Sequence, residues 1–320
     1  GYVDADVGLI FEDIRIADRS PTASRFRTRE LVRIERLALV ADILPEKLLD
    51  GETPIKARRL VLDGVHANAW LDRNNQISLA SLFPMPSLGP PIPCIQVRGA
   101  NVRLHNRTKR SPPIDANISE ALILSSVTRT GEVRRKIQVH GSTDFAAELV
   151  AEVVQSAGGT EVDLSVKGAR IGRGLFERIP EPWAKLASYA SGLQCLCDIG
   201  LALRQTPEGK LDYAGRLTVH EGSVLHRLLP TPVTELRGVI EADPQGLTIE
   251  SAHGRIGDAV VRTSGRVDGY SWPCEVDLNL STRSLMLDSQ LTSMLPEKLQ
   301  KEFDRLQPRG RIDVDAKVSH

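Results

Sequence analysis

Apolar and polar residues alternate with a period of two along most of the second half of the chain. Glu275–Ser281 and Arg311–Val318 alternate strictly, and the odd-numbered positions of Cys195–Leu203 are apolar. The period recurs in five further segments, which are Val162–Val166, Asp212–Val219, Glu235–Ala242, Gly246–Ser251 and Ala259–Val267. Turn-forming residues separate the segments, as in Asp243–Gly246. The pattern predicts an antiparallel meander with one apolar face and one solvated face.

Helical patterns are few and short. Ala23–Arg29 fits a short helix or an irregular link, and Leu44–Leu49 fits a single turn with Pro45 at its start. Longer apolar spacings of helical type occur in Leu175–Ser188 and Ser289–Leu306. We expect these helices to cap or flank the sheet.

The segment Gln76–Val97 carries no charge over 22 residues, which is the length of a membrane span. It also contains five prolines, which would break a spanning helix, so we expect an extended connector. The predicted organisation is an N-terminal β region over 1–83, a proline-rich link over 84–93, a second β region over 94–160 and repeated units over 161–320.

The chain contains an internal repeat. Residues 164–182 align without gaps with residues 280–298, at an offset of 116. Each copy places an amphipathic helical pattern after a strand pattern, and another strand pattern follows. Because such units stack on their neighbours, the repeat predicts an array in which an open sheet grows by addition of units.

Composition narrows the classes of partner. The 41 basic and 41 acidic residues balance, so the chain has no long-range attraction to nucleic acid or anionic surfaces. Four cysteines are too few for a disulfide-framed module. The chain begins with Gly1 rather than Met, and its final strand pattern stops abruptly. We therefore expect a piece of a longer protein, with any signal peptide or membrane anchor outside these residues.

In the N-terminal region of the chain, strand patterns over Leu31–Leu44 and Ile55–Leu62 precede the segment Ala69–Leu82 and the proline-rich link. In the C-terminal region, strand patterns recur over Leu217–Val318. These two regions resemble the AsmA-like superfamily of AsmA/TamB/YhdP-type envelope proteins, and Leu217–Val318 is similar to the repeats of that family. The resemblance implies a mainly β fold, which is a long curled antiparallel sheet forming a repeating β-groove, with a few short flanking helices.

The resemblance also implies a function. It predicts a non-enzymatic protein of the periplasm and cell envelope that carries or shields phospholipid acyl chains between the inner and outer membranes. The implied partners are phospholipid, the inner membrane through an anchor outside this chain, and an outer-membrane partner, with no nucleic acid and no cofactor. The alternative is an envelope assembly or scaffold protein that assists outer-membrane biogenesis without carrying lipid.

The apolar positions of the strand patterns are the candidate lining of such a groove. The same residues would equally fit the dry core of a sandwich. They are Val162, Leu164, Val166, Cys197, Ile199, Leu201, Leu203, Leu217, Val219, Val239, Leu247, Ile249, Val261, Val276, Leu278, Leu280, Ile312, Val314 and Val318.

Other candidate chemistry is weak. Cys195 and Cys197 share a strand face, but no second pair lies at metal-ligand spacing, so we expect buried free thiols. His220, Glu221 and His226 miss the zinc-protease signature, because the two histidines are six residues apart rather than four. Nucleophile-elbow, Walker A and Rossmann patterns are absent, and we expect neither a catalytic nor a metal site.

Overall fold

The computed structural model consists almost entirely of β-strands. It describes residues 2–4, 8–17, 30–43, 55–70, 94–105, 112–129, 131–179, 192–225, 231–270, 274–286, 300–301, 305–306 and 309–319. Within these residues, sixteen strands form one sheet, in which their order follows the sequence. The mainly β fold class predicted from the sequence is confirmed.

The first eight strands are β1 (Tyr2–Asp4), β2 (Gly8–Ala17), β3 (Glu30–Ile43), β4 (Ile55–Trp70), β5 (Cys94–His105), β6 (Ile114–Val127), β7 (Val133–Thr143) and β8 (Ala146–Ser156). The others are β9 (Gly159–Ile171), β10 (Leu193–Gln205), β11 (Leu211–Val224), β12 (Thr234–Asp243), β13 (Gly246–Ile256), β14 (Ala259–Asp268), β15 (Glu275–Met286) and β16 (Arg311–Ser319). Each period-two segment predicted in the second half of the chain lies within one of these strands.

Helices are short in the described part of the chain. One turn, α1 (Arg173–Phe176), follows β9, and Gln300, Lys301, Arg305 and Leu306 are helical. Most of the two longer predicted helices, and all of those predicted at Ala23–Arg29 and Leu44–Leu49, lie outside the described residues.

The chain divides into two compact units. The first unit contains Gly1–Ser165, Glu177–Lys185 and Arg204–Lys210, and the second contains Val166–Phe176, Leu186–Leu203 and Leu211–His320. Strand β9 contributes to both. The four-part division proposed from the sequence stays a prediction.

In the first unit, β4 and β5 pair in parallel, whereas β1 to β4 and β5 to β8 pair antiparallel. The long antiparallel sheet that the resemblance implies therefore contains one parallel pair in the first unit. Between Trp70 and Cys94 lie 23 residues, enough for the crossover that a parallel pair requires. The proline-rich link belongs to this segment and lies outside the described residues.

The strands of the first unit reverse their alternation at one aligned line of positions. Directly opposed residues share a face, and β7 alternates without interruption. In β7, Gly141 opposes Ile118 and Val139 opposes Ala121, so Ile118 and Ala121 share a face although three positions separate them. The pairings show the same reversal at the aligned position of each strand from β6 back to β2. These positions are Ser119, Gly99, Gly64, Glu35 and Asp13.

Backbone conformation explains the reversal in β2, β4 and β5. Asp13, Gly64 and Gly99 have left-handed φ values of 49°, 63° and 63°. One left-handed residue inside a strand acts as a bulge and turns the next side chain to the other face. Apolar side chains therefore lie on the same face of the sheet both before and after the charged residues that interrupt each strand.

The second unit also reverses its alternation at bulges. Strands β11 to β16 pair antiparallel. The alternation reverses in β13 between Ile249 and Ala252, and in β15 between Thr282 and Leu285. Both reversals coincide with shifts of register, which mark β-bulges.

Buried side chains are few and local in the described residues. In the first unit, Val32, Ile34 and Ala67 form a cluster with Leu31 and Trp70. A second, smaller cluster consists of Ile10, Ala38 and Val61. Most other apolar residues of the sheet are only half-buried.

Candidate functional site

Cross-strand register defines the apolar face of the second unit. Its central row runs across β11 to β16 through Leu217, Ile240, Ile249, Gly265, Leu278 and Val318. Parallel rows lie beside it, of which one contains Gly215, Ala242, Leu247, Val267 and Val276, and another contains Val219, Gly238, Ala252, Thr263, Leu280 and Ala316. Gly254, Val261, Thr282 and Val314 form a fourth row beside that of Ala252.

Most of the candidate lining residues in β11 to β16 meet on this face. Val239 does not, because it opposes Thr218 and Ser251 on the polar face. Ile240 occupies the corresponding apolar position. Val239 and Ile240 are consecutive apolar residues, so the sequence pattern does not show which of them lies on the apolar face. The cross-strand pairing shows that it is Ile240. Ile312, opposite Leu285, extends the face at β16.

The candidates in β9 and β10 alternate along their strands. Val162, Leu164 and Val166 are half-buried or buried and flank exposed Asp163. In β10, Ile199, Leu201 and Leu203 are half-buried and Cys197 is fully buried.

The apolar face is unevenly covered. Val219 at one side of the face is 5% exposed, and Val166 and Cys197 of the two preceding strands are 5% and 0% exposed. Leu280 and Val318 are 37% and 48% exposed, and the intervening candidates are half-buried. In the described part of the second unit this face is less buried than the core of a β-sandwich, which would cover most of these side chains.

The first unit has an equivalent apolar face, which the sequence analysis did not resolve into residues. Its rows cross β2 to β8 through Ile14, Ile34, Val65, Ala100, Ile118, Gly141 and Leu149, and through Phe11, Leu37, Leu62, Val97, Ala121, Val139 and Ala151. A third row contains Leu9, Leu39, Leu60, Ile95, Ile123, Ile137 and Val153. Leu9 and Phe11 are 37% and 43% exposed. In the sequence, this face is marked by a period-two alternation of apolar residues that two consecutive polar residues interrupt, as in Ile34-Glu35-Arg36-Leu37.

Charged residues lie on the opposite, polar face. None of the apolar rows given above contains an ionisable side chain. On the polar face of the second unit, the Arg216 guanidinium forms ion pairs with the carboxylates of Glu241 and Glu250. Nζ of Lys317 lies 3.1 Å from Oδ2 of Asp277. The chain thus separates its charge from its apolar surface strand by strand.

The cysteines are free thiols. Cys195 and Cys197 are buried and hydrogen-bonded to each other, and the Cys197 thiol lies 3.6 Å from the Ala169 carbonyl oxygen. The hydrogen bond with Cys195 and burial raise the pKa of Cys197 far above its usual range. A protonated, buried thiol of this kind is a small apolar side chain and a poor nucleophile.

Asp198 organises the polar face beside these cysteines. Its carboxylate accepts a hydrogen bond from the Gly168 amide at 2.8 Å and lies 2.8 Å from Nε2 of His220. The Gly168 hydrogen bond, followed by that of His220, lowers the pKa of Asp198. His220 is exposed and fills a structural role in this pair, and His226 lies outside the described residues.

Among the described residues, no cluster of three or more His, Cys, Asp or Glu side chains could hold a metal ion. The same residues include no helix with the length and hydropathy of a membrane span. No protein-family model matches the chain, and no curated protein matches its sequence. The resemblance to the AsmA-like superfamily stays a prediction.

Proposed function

We propose that the chain is a non-enzymatic protein of the bacterial cell envelope whose apolar face carries or shields phospholipid acyl chains between the inner and outer membranes. The observation that carries the proposal is the uncharged, partly exposed set of rows across β11 to β16. Acyl chains would lie along these rows, while headgroups stay in water. This function needs no cofactor.

Dimensions and energies support the proposal. Six strands at a spacing of about 4.8 Å make each row ~24 Å long. That exceeds the ~15 Å that one leaflet contributes to a hydrocarbon core of about 30 Å. Each methylene removed from water contributes roughly 0.8 kcal/mol, so even partial cover over one acyl chain lowers its transfer barrier by several kcal/mol.

The resemblance to the AsmA-like superfamily supplies the cellular setting of the proposal. In that setting the chain lies in the periplasm, joined to the inner membrane by an anchor outside these residues and served by an outer-membrane partner.

Lipid extraction and mass spectrometry of the purified protein test the proposal. The matched variants are Leu278→Asp, on the apolar face, and Thr218→Asp, on the polar face of β11. We expect phospholipid on the parent and on Thr218→Asp, with its loss from a Leu278→Asp variant that keeps its β-sheet circular dichroism. Equal lipid on both variants would contradict the proposal.

One observation favours the scaffold alternative. Ala169, Cys197 and Val219 are at most 5% exposed, so part of the second unit is already packed without lipid. A folded parent that yields no phospholipid on extraction would support a scaffold that assists outer-membrane biogenesis.

A further inference from the structure

Three cationic or potentially cationic side chains oppose one another on the polar face of the second unit. Arg237 of β12 opposes His253 of β13, which opposes Arg262 of β14. All three are exposed. Like charges directly across a sheet are destabilising, and a carboxylate would ordinarily separate them. Within the described part of the chain, neither arginine has a hydrogen-bond or ion-pair partner, in contrast to Arg216, Arg266 and Arg283 nearby.

An open cavity of about 540 Å³ adjoins this row. Its hydrogen-bonding side chains include His253, Arg262, Ser264, Asn279, Ser281 and Lys317. Two carboxylates also line it, and both are engaged elsewhere. Glu250 forms two 3.0 Å hydrogen bonds with Arg216, and Asp315 lies 3.3 Å from Arg283. Lys317 is paired with Asp277. Arg262 therefore brings positive charge that the described residues leave uncompensated.

We propose that this cavity binds a phosphate group, with Arg262 as its principal ligand, His253 as a supporting donor, and Arg237, which opposes His253 from outside the lining, as a source of further positive charge. A guanidinium presents two parallel N–H donors that match two phosphate oxygens. The hydroxyls of Ser264 and Ser281 and the amide of Asn279 add neutral donors. A bound dianion would also remove the repulsion between the opposed cations, which makes occupation favourable beyond its direct hydrogen bonds.

The volume and the position of the cavity define the class of ligand. A single water occupies ~30 Å³ in the liquid, so the cavity has room for a phosphate with an attached organic group. It lies on the face opposite to the apolar rows, so it is separate from the acyl-chain surface and goes beyond the proposed function. The phosphate belongs either to a lipid headgroup or to a soluble phosphate ester.

Calorimetric titration with inorganic phosphate, at an ionic strength held constant with chloride, tests the site. We expect saturable binding to the parent, about tenfold weaker binding for Arg262→Gln, and further loss for Arg237→Gln with Arg262→Gln. The control is Arg134→Gln, which removes one exposed cation from β7 in the first unit. In the absence of phosphate, Arg262→Gln should raise the urea midpoint, because it relieves repulsion. Equal binding by Arg262→Gln and Arg134→Gln, or no binding to the parent, would overturn the proposal.

Two further ligands separate the sources of the phosphate. Retention of the parent and of Arg134→Gln, but not of Arg262→Gln, on phosphatidylglycerol vesicles assigns the phosphate to a lipid headgroup. Arg262-dependent binding of glycerol phosphate without such retention assigns it to a soluble ester. Lipid extraction from the Leu278→Asp variant is independent of both results.

Discussion

Gly168 and Ser284 occupy equivalent positions 116 residues apart and share one unusual backbone geometry. Their φ values are 62° and 60°. The amide of Gly168 donates to Asp198 at 2.8 Å, and the amide of Ser284 donates to Asp313 at 2.9 Å. In both cases the carboxylate lies on the next strand of the sheet. The repeat seen in the sequence therefore preserves a left-handed residue whose N–H is satisfied by an aspartate.

This relationship predicts opposite effects of exchanging the two residues. Left-handed backbone costs a non-glycine residue about 1–2 kcal/mol, and glycine avoids that cost. We expect Ser284→Gly to raise the free energy of unfolding by up to ~1 kcal/mol, and Gly168→Ser to lower it by about 1 kcal/mol. Urea denaturation measures both changes. Ser126→Gly on β6 is the control and should destabilise, and the same sign for both serine variants would contradict the account.

The Asp198 hydrogen bonds predict a pH-dependent contribution to stability. Because the pKa of Asp198 is lowered in the folded state, its contribution is present above the unfolded pKa of about 3.9 and is lost as the pH falls through the folded value. We expect Asp198→Asn to reduce the urea midpoint at pH 6, with the difference from the parent shrinking at pH 3. Asp163→Asn, at an exposed position of β9, is the control for the aspartate-to-asparagine exchange itself. A difference that is the same at both pH values would refute this role.

Gly64 and Gly99 form a matched pair for the reversal line of the first unit. Both have φ of 63°. A Cβ added at Gly64 would lie 2.8 Å from Cγ of Glu35 and closer still to its carboxylate, whereas a Cβ at Gly99 would meet no atom within 4 Å. Gly99→Ala should therefore cost about 1 kcal/mol from backbone strain alone.

Gly64→Ala should cost more than Gly99→Ala, because it also displaces Glu35 from its 3.2 Å contact with His66. The added Glu35→Ala substitution should bring the two costs together in a double-mutant cycle of unfolding free energies. Equal costs in the presence of Glu35 would show that the side chain yields freely.

Period-two alternation was sufficient to predict the strands of the second unit, because each has one solvated face. The three strands β6, β7 and β8 were expected only as a β region, since segments such as Ala146–Ser156 are apolar on both phases. The parallel pairing of β4 and β5 follows from a crossover of 23 residues, whose direction no local pattern encodes. The reversals of alternation could be located only from the cross-strand pairing. Strands β7 and β14 alternate without interruption, so their pairing shows where a neighbouring strand changes face.

The assignment of Val239 and Ile240 to opposite faces can be tested by threonine substitution. Val239→Thr places a hydroxyl beside Thr218 and Ser251 and should be nearly neutral. Ile240→Thr places it among Leu217 and Ile249 and should cost about 1 kcal/mol. Urea midpoints compare the two variants, and a larger loss for Val239→Thr would show that the register is wrong.

Photo-crosslinking along β15 tests the proposed acyl-chain surface most directly. A benzophenone amino acid is introduced singly at each position from Val276 to Ser281, and each protein is irradiated with radiolabelled phospholipid. The account predicts lipid crosslinks at Val276, Leu278 and Leu280, and little labelling at Asp277, Asn279 and Ser281, since these two sets face opposite sides of the sheet. Labelling without a period of two, or stronger labelling on the polar set, would contradict it.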